Sequence, residues 1–165
     1  GGDGHDTLYG GDGNDTHDGG AGNDTHWESR GNDVYLFGRG DGQDVIAQNY
    51  ASDGTDVIRL KAGVKPEDVA VYRSTSSQDL IVSIKDTGDS IRVQSWATNA
   101  TVRIERVEFA DGTVWDTDVL WAAPVLGSEG NDTITAVSSV GDTLRGFGGN
   151  DMLRGAGGQP GRVAL

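Results

Sequence analysis

The chain has 165 residues, enough for one domain or for two small domains that share a core. It contains no cysteine, which excludes disulfides and thiolate metal sites, and no apolar run of about 18 residues, so no membrane span is expected. Its formal net charge of −13 disfavours nucleic acid as a partner, because phosphate binding requires a basic surface. The chain opens within a repeat pattern and shows no signal peptide, so we expect a monomeric fragment of a longer protein.

The first part of the chain repeats every nine residues. Three units stand head to tail over residues 1–27: GGDGHDTLY, GGDGNDTHD and GGAGNDTHW. Each has glycine at places one, two and four and aspartate at place six. The place-six aspartates continue, with slippage, as Asp6, Asp15, Asp24, Asp33, Asp44 and Asp56. Apolar residues stand at place eight in most units, so we predict turns and short strands that form a parallel β-roll over residues 1–60.

The repeat supplies the oxygen ligands that calcium prefers. Calcium takes about 6–8 oxygens from carboxylates, backbone carbonyls and water. Glycine reaches positive φ, so the turn can direct its carbonyls at one point, and the aspartate adds a charge. A parallel roll completes a turn about every two units, so we expect Asp6 to share an ion with Asp24, and Asp15 with Asp33. Because each turn buries only about two aliphatic side chains, folding should require the ion.

Residues 61–123 lack the repeat and are predicted to form a small antiparallel β-unit that flanks and caps the roll. The strand candidates are residues 79–84, 90–96, 101–109 and 113–115, with turns at 85–89 and 110–112. Alternation within 90–96 places Trp96 on the face opposite Ile91 and Val93. Residues 66–72 begin with proline and are predicted as a short helix or turn, and residues 116–123 as one or two helical turns.

The nonapeptide returns in degenerate form over residues 124–165. Two units carry a place-six aspartate in a good match to the pattern, namely Asp132 and Asp151. The unit between them keeps only Asp142 and Leu144, and the last unit has Pro160 where aspartate belongs. We therefore expect weaker calcium ligation here than in the first block.

His17 and His26 occupy place eight, where an aliphatic residue is expected. Because they are nine residues apart, they should lie on opposite sheets and point into the same narrow core. Two interpretations follow. They could form a transition-metal site, since imidazole is a common ligand, or they could be substitutions tolerated near a fraying end, which we favour.

No catalytic set emerges from the sequence, so no enzyme activity is predicted. The chain has no cysteine nucleophile, and all three histidines lie in the repeats. Glu105 and Glu108 could mimic a general acid–base pair. We interpret them instead as residues on an exposed strand face.

The repeats resemble those of the RTX (repeats-in-toxin) proteins, whose known calcium-binding consensus is G-G-x-G-x-D-x-U-x. The segments DVYLFGRGDGQDVI, GDSIRVQSW and IERVEFADGTVW, within residues 33–115, resemble the haemolysin-type calcium-binding related module that commonly follows such repeats. Their order is similar to that in the last repeat block of adenylate cyclase toxin. The resemblance implies an all-β fold: a calcium-bound parallel β-roll, a small antiparallel β-unit and a degenerate second repeat block.

The resemblance also implies a function and a ligand set. It implies type I secretion, with the chain unfolded in the calcium-poor cytosol and folded around several calcium ions once it is extracellular. The implied ligands are place-six aspartates, helped by glycine carbonyls and place-three aspartates. The full set is Gly2, Asp3, Gly4, Asp6, Gly11, Asp12, Gly13, Asp15, Gly20, Gly22, Asp24, Asp33, Gly40, Asp41, Gly42, Asp44, Asp53, Asp56, Asp132 and Asp151.

Two non-catalytic functions stay open at this point. The first is a calcium-dependent folding module that supports secretion of a larger bacterial protein. The second is a calcium-dependent adhesion or glycan-binding module in which the roll only presents a surface. The second needs an exposed aromatic patch, for which Trp96, Trp115 and Trp121 are the candidates.

Overall fold

The computed structural model describes residues 1–28, 30–48, 54–75, 77–99, 103–127, 130–135, 143–155 and 163–164. The protein is 47% strand and 6% helix, so the predicted all-β class is confirmed. The place-three candidate Asp53, the place-six Asp142 and the irregular Pro160 lie outside the described residues.

The first repeat block forms a parallel roll, as predicted. Its strands are β1 (Gly2–Asp3), β2 (Thr7–Tyr9), β3 (Thr16–Asp18), β4 (Gly20–Ala21), β5 (Thr25–Glu28), β6 (Val34–Phe37), β7 (Gln43–Gln48) and β8 (Asp56–Leu60). Strands β2, β5 and β7 pair in parallel in one sheet, and β3, β6 and β8 pair in parallel in a facing sheet. Units two apart are therefore neighbours in the same sheet, and each turn of the roll uses two units.

The middle segment continues both sheets of the roll. It contains a 3-10 turn (Pro66–Asp68), β9 (Val69–Ser74), β10 (Leu80–Ile84), β11 (Ser90–Val93), β12 (Ile104–Glu108), β13 (Val114–Trp115) and helix α1 (Thr117–Trp121). Strands β9 to β11 pair antiparallel, as do β12 and β13. At the junction, β11 pairs in parallel with β7, and β12 pairs in parallel with β8. The division at residues 60 and 123 stays a prediction.

Two parts of this segment differ from the sequence prediction. Residues 66–72 were expected as a short helix or turn, but Val69–Ser74 is a strand, because its residues 69–73 pair with β10. The strand expected over 90–96 ends at Val93, because Ser95 takes a positive φ of 55° and turns the chain. Trp96 consequently enters the core, where its Nε1 donates to the Ile104 carbonyl at 2.9 Å.

The terminal segment joins the same large sheet and adds a small core. Its strands are β14 (Val125–Leu126), β15 (Thr133–Thr135), β16 (Leu144–Arg145), β17 (Met152–Arg154) and β18 (Val163–Ala164). Strand β14 lies between β9 and β16 and is parallel to both, while β15 and β17 form a separate parallel pair. The buried side chains here are Val125, Ile134 and Leu144, with Leu153 packed against them.

The main core lies between the two large sheets. In the described part of the chain, these sheets have the strand orders β18-β16-β14-β9-β10-β11-β7-β5-β2 and β13-β12-β8-β6-β3. Place-eight side chains of the roll point into this space, and Tyr35, Ile46 and Ile58 are fully buried. The thin core of the roll is thus continuous with the wider core of the middle segment.

Candidate metal centre

The place-six aspartates form two ladders, one along each side of the roll. On the first side, the Asp6 N–H donates to Asp24 Oδ1 at 2.8 Å, and the Asp24 N–H donates to Asp44 Oδ1 at 2.9 Å. Each carboxylate therefore satisfies a backbone donor on the preceding turn of the roll. The side-chain acceptor thus recurs at every second unit along this side of the roll.

The second ladder repeats the arrangement in the facing sheet. The Asp15 N–H donates to Asp33 Oδ1 at 2.9 Å, and the Asp33 N–H donates to Asp56 Oδ1 at 3.0 Å. Asp24, Asp33, Asp44 and Asp56 are at most 2% exposed. The predicted stacking of Asp6 on Asp24, and of Asp15 on Asp33, is observed.

The second carboxylate oxygens of the ladder face a different environment. The Oδ2 atoms of Asp6, Asp15, Asp24 and Asp44 are buried and make no hydrogen bond within the described part of the protein. A buried carboxylate oxygen without a partner is costly, and such groups occur paired or bound to a cation. A Cβ atom on Gly19 would overlap Asp24 Oδ2, so the place-one glycine leaves room beside this oxygen.

The turn glycines direct backbone carbonyls into the same layer. Gly22 has φ of +147°, and a Cβ atom there would overlap the Gly4 carbonyl oxygen of the turn below. Gly20 has the same relation to the Gly2 carbonyl. Positive φ angles recur at the other predicted turn glycines, namely Gly2, Gly4, Gly11, Gly13, Gly40 and Gly42. A Cβ atom on Gly1 would overlap both Asp6 Oδ2 and the Gly19 carbonyl oxygen, so a carboxylate and a carbonyl oxygen lie together there. Both are hard oxygen donors of the kind that calcium takes.

Two family models match the chain. The RTX calcium-binding nonapeptide repeat model, of four copies, matches residues 1–25 and 141–159. The haemolysin-type calcium binding protein related domain matches residues 79–119. The matched repeats indicate a calcium-binding module of the RTX kind. No curated protein matches this RTX module, and the closer likeness to adenylate cyclase toxin stays a prediction.

The place-three aspartates of the RTX module have unequal positions. Asp3 and Asp12 lie exposed on the turns. Asp41 is buried, and its Oδ2 accepts the Gly38 N–H at 2.8 Å and lies 2.9 Å from Lys61 Nζ. Burial raises the pKa of the Asp41 carboxyl above its usual value, although Lys61 opposes the shift. Asp41 thus has an internal cationic partner in Lys61.

Glu105 continues the second ladder beyond the repeats. Its Oε2 accepts the Asp56 N–H at 2.8 Å, as an aspartate of a further turn would. Burial raises the pKa of the Glu105 carboxyl. The interpretation of Glu105 as a residue on an exposed strand face is therefore wrong. Ile104 pairs with Asp56 and Arg106 pairs with Val57, so Glu105 is the extra residue of a β-bulge between them. This extra residue obscures the relation of Glu105 to place six.

Asp89 closes the turn of the fifth unit on the other side of the roll. Its carboxylate accepts the Gly40 N–H at 2.8 Å and the Gly42 N–H at 2.9 Å. Burial alone would raise the pKa of Asp89, but hydrogen bonds from Thr87 and these two amides outweigh it and lower the pKa. Asp89 and Glu105 both lie in the 79–119 match, so the related domain supplies carboxylates that cap both sides of the roll.

Place-five side chains form a further row that the sequence interpretation missed. The Asn32 N–H donates to Asn14 Oδ1 at 2.9 Å, and the Thr55 N–H donates to Asn32 Oδ1 at 2.8 Å. In the first unit His5 takes this role, because the Asn23 N–H donates to His5 Nδ1 at 2.9 Å. The recurrence of asparagine before aspartate in GND was the available signal.

The terminal block repeats the ladder once. The Asp132 N–H donates to Asp151 Oδ1 at 3.0 Å, and both side chains are half-buried. A Cβ atom on Gly146 would overlap Asp151 Oδ2, as at Gly19 in the first block. The two predicted ligands of this block are therefore brought together. None of the described helices is long and apolar enough to span a membrane.

Proposed function

We propose that this RTX module folds when calcium binds, that it does so outside the cell after type I export, and that it thereby supports the secretion and folding of a larger bacterial protein. The observation that carries the proposal is the buried aspartate ladder. It places carboxylate Oδ2 atoms of successive turns in the interior without hydrogen-bond donors in the described residues.

Charge repulsion makes the ladder dependent on a counter-ion. Neighbouring turns of a parallel sheet lie about 5 Å apart, and two unit charges at that separation repel by about 3 kcal/mol at an effective dielectric constant near 20. Asp6, Asp24 and Asp44 lie in one such row. The thin core of the roll offers little apolar burial to offset the repulsion.

Calcium bound among these oxygens would supply the missing positive charge. The residues that would hold it are the place-six aspartates, through Oδ2, and the turn glycines, through their carbonyls. Binding to the folded chain alone then adds its free energy to folding. A low calcium concentration in the cytosol and a millimolar concentration outside would keep the chain unfolded before export and fold it afterwards.

Neither glycan binding nor catalysis is favoured by any observation. Trp96 is fully buried, and Trp115 and Trp121 pack against the main core, so these three do not form the exposed aromatic patch that a glycan-binding module needs. Glu105 is held in the second ladder, and His17 and His26 are buried. We propose that the module has no catalytic activity of its own.

Far-UV circular dichroism during calcium addition tests the proposal. The metal-free chain should show little β signal, gain it with calcium and lose it again with chelator. Magnesium at the same concentration is the control, because it demands near-ideal octahedral geometry and keeps its water. A β spectrum that is unchanged by chelator would overturn the proposal.

A further inference from the structure

His17 and His26 face each other across the interior of the roll. His17 stands on β3 and His26 on β5, so the two imidazoles come from opposite sheets. Their exposed fractions are 4% and 0%. They belong to the ordered core of the roll, which argues against their interpretation as substitutions tolerated at a fraying end.

The two ring nitrogens are spaced as ligands of one metal ion. His17 Nδ1 and His26 Nδ1 are 3.4 Å apart. Zinc binds imidazole nitrogen at about 2.0–2.1 Å in tetrahedral geometry, which places two ligand nitrogens about 3.4 Å from each other. The same distance is long for a hydrogen bond. Both Nδ1 lone pairs would point at one ion if each ring carried its proton on Nε2.

The surroundings of the pair suit metal ligation. His26 Nε2 lies 3.7 Å from Asp44 Oδ2 and makes no hydrogen bond within the described residues. Metal-ligating histidines commonly direct their second N–H at a carboxylate, which fixes the tautomer and the ring orientation. The Tyr35 ring packs on both imidazoles, with centroid distances of 5.5 Å to His17 and 5.7 Å to His26.

An open cavity of about 340 Å³ leads towards the pair from the first turn of the roll. His17 lines this cavity together with Leu8, Tyr9, Gly10, Asp15 and Thr16. Solvent can therefore approach one member of the pair and complete the coordination of an ion. The net charge of −13 favours the approach of a cation.

We propose that His17 and His26 bind a borderline divalent cation of the zinc class through their Nδ1 atoms. This site differs chemically from the calcium ladders, because its protein donors are nitrogens and theirs are oxygens. The bound ion joins the two sheets of the roll near its first turns. Zinc should therefore stabilise a roll that calcium has already folded.

Zinc titration of the calcium-saturated protein tests the site. Isothermal titration calorimetry in millimolar calcium should show one zinc ion per chain. His17→Leu and His26→Leu should each weaken zinc binding by about 100-fold, since each removes one of two protein ligands. His5→Asn should leave zinc binding unchanged, because asparagine keeps the acceptor at place five. Absence of zinc binding to the unmodified protein, or a zinc affinity that is unchanged in either leucine variant, would overturn the proposal.

Nitrogen-15 NMR of the unmodified protein provides a test that needs no variant to fold. Zinc should shift the Nδ1 resonances of His17 and His26 while leaving those of His5 in place. Unshifted His17 and His26 resonances would contradict the proposal. Circular dichroism of each sample in calcium separates this result from the proposed function. If the zinc site is absent, the protein should still gain its β signal when calcium is added. If calcium-dependent folding is absent, circular dichroism should show this in samples that contain no zinc.

Discussion

The two repeat blocks share one turn geometry, but they differ in how deeply their place-six aspartates are buried and in which residues cap the end of the stack. In the first block Asp24 and Asp44 are almost fully buried, Glu105 caps the second ladder, and Asp89 closes the turn of the fifth unit. In the terminal block the one described rung, Asp132 on Asp151, is only half-buried and packs over a small core. We therefore expect the same motif to bind a cation more strongly in the first block, where more turns stack on it and its end is closed, than in the terminal block.

Neutralising one buried ladder carboxylate of the first block should have the largest effect on calcium-dependent folding. It would therefore show most clearly how the first block differs from the terminal block. Asp24→Asn keeps an oxygen for the Asp6 N–H but replaces the other carboxylate oxygen by an amide and removes the charge. We expect the calcium concentration at the folding midpoint to rise about tenfold or more. The measurement is circular dichroism against free calcium.

Asp151→Asn is the matched control in the terminal block. It should change this midpoint less than Asp24→Asn does, because Asp151 is half-buried in a single described rung. Equal shifts in the two variants would show that burial and stacking do not set the strength of the sites.

A methyl group in the turn layer should be the next most damaging change. Gly22→Ala combines positive-φ strain of about 1–2 kcal/mol with overlap of the Gly4 carbonyl. Gly63→Ala has the same kind of strain at φ +91° but open space around the new Cβ atom. Denaturant unfolding in calcium should show a larger decrease in the free energy of unfolding for Gly22→Ala than for Gly63→Ala. If the two decreases were equal, close stacking of the turns would not be the reason for glycine at position 22.

Removal of the cap on the second ladder should cost less than damage within it. Glu105→Ala leaves the Asp56 N–H without its acceptor, which we expect to lower the free energy of unfolding by about 1–3 kcal/mol. Glu108→Ala is the control, because its ion pair with Arg59 is exposed and such pairs contribute about 0–1 kcal/mol. Thermal unfolding in calcium measures the stability of both variants. A larger loss of stability in Glu108→Ala than in Glu105→Ala would refute the capping role.

The smallest effect is expected where the roll meets the middle segment at its surface. Arg39, on the turn of the fifth unit, pairs with Asp68 at 3.0 Å and with Asp86. The hydrogen bond from Arg39 lowers the pKa of Asp86. This pair therefore stabilises the fold above the unfolded-state pKa of the carboxyl, and the contribution is lost as the pH falls through the lower folded-state pKa.

Arg39→Gln should move the pKa of Asp86 back up, as followed by carboxyl NMR, with little change in the thermal midpoint at neutral pH. An unmoved Asp86 pKa would mean that Arg39 does not set it in solution.

Regular spacing made the ladder predictable. A nine-residue period in a roll with two units per turn places Asp6 beneath Asp24, and this register persists through the insertions that precede Asp44 and Asp56. Helix α1 was also predictable, because the Asp116 side chain accepts the N–H groups of Asp118 and Val119 at its start.

The unpredicted features depend on partners distant in sequence. Val69–Ser74 is a strand because β10 and β14 flank it in the sheet. Trp96 is buried because one positive φ angle at Ser95 ends the alternation. Glu105 reaches Asp56 through a bulge, across 49 residues of chain. None of these relations appears in local periodicity.

The central claim is that the aspartate ladders are calcium sites whose occupation folds the chain. Calcium titration calorimetry with circular dichroism on the same sample tests it most directly. We predict that four or more calcium ions bind, in keeping with ladders that extend to Asp56, and that the β signal rises together with binding. A chain that is fully folded before calcium is added, or that binds calcium without gaining β structure, would contradict the account.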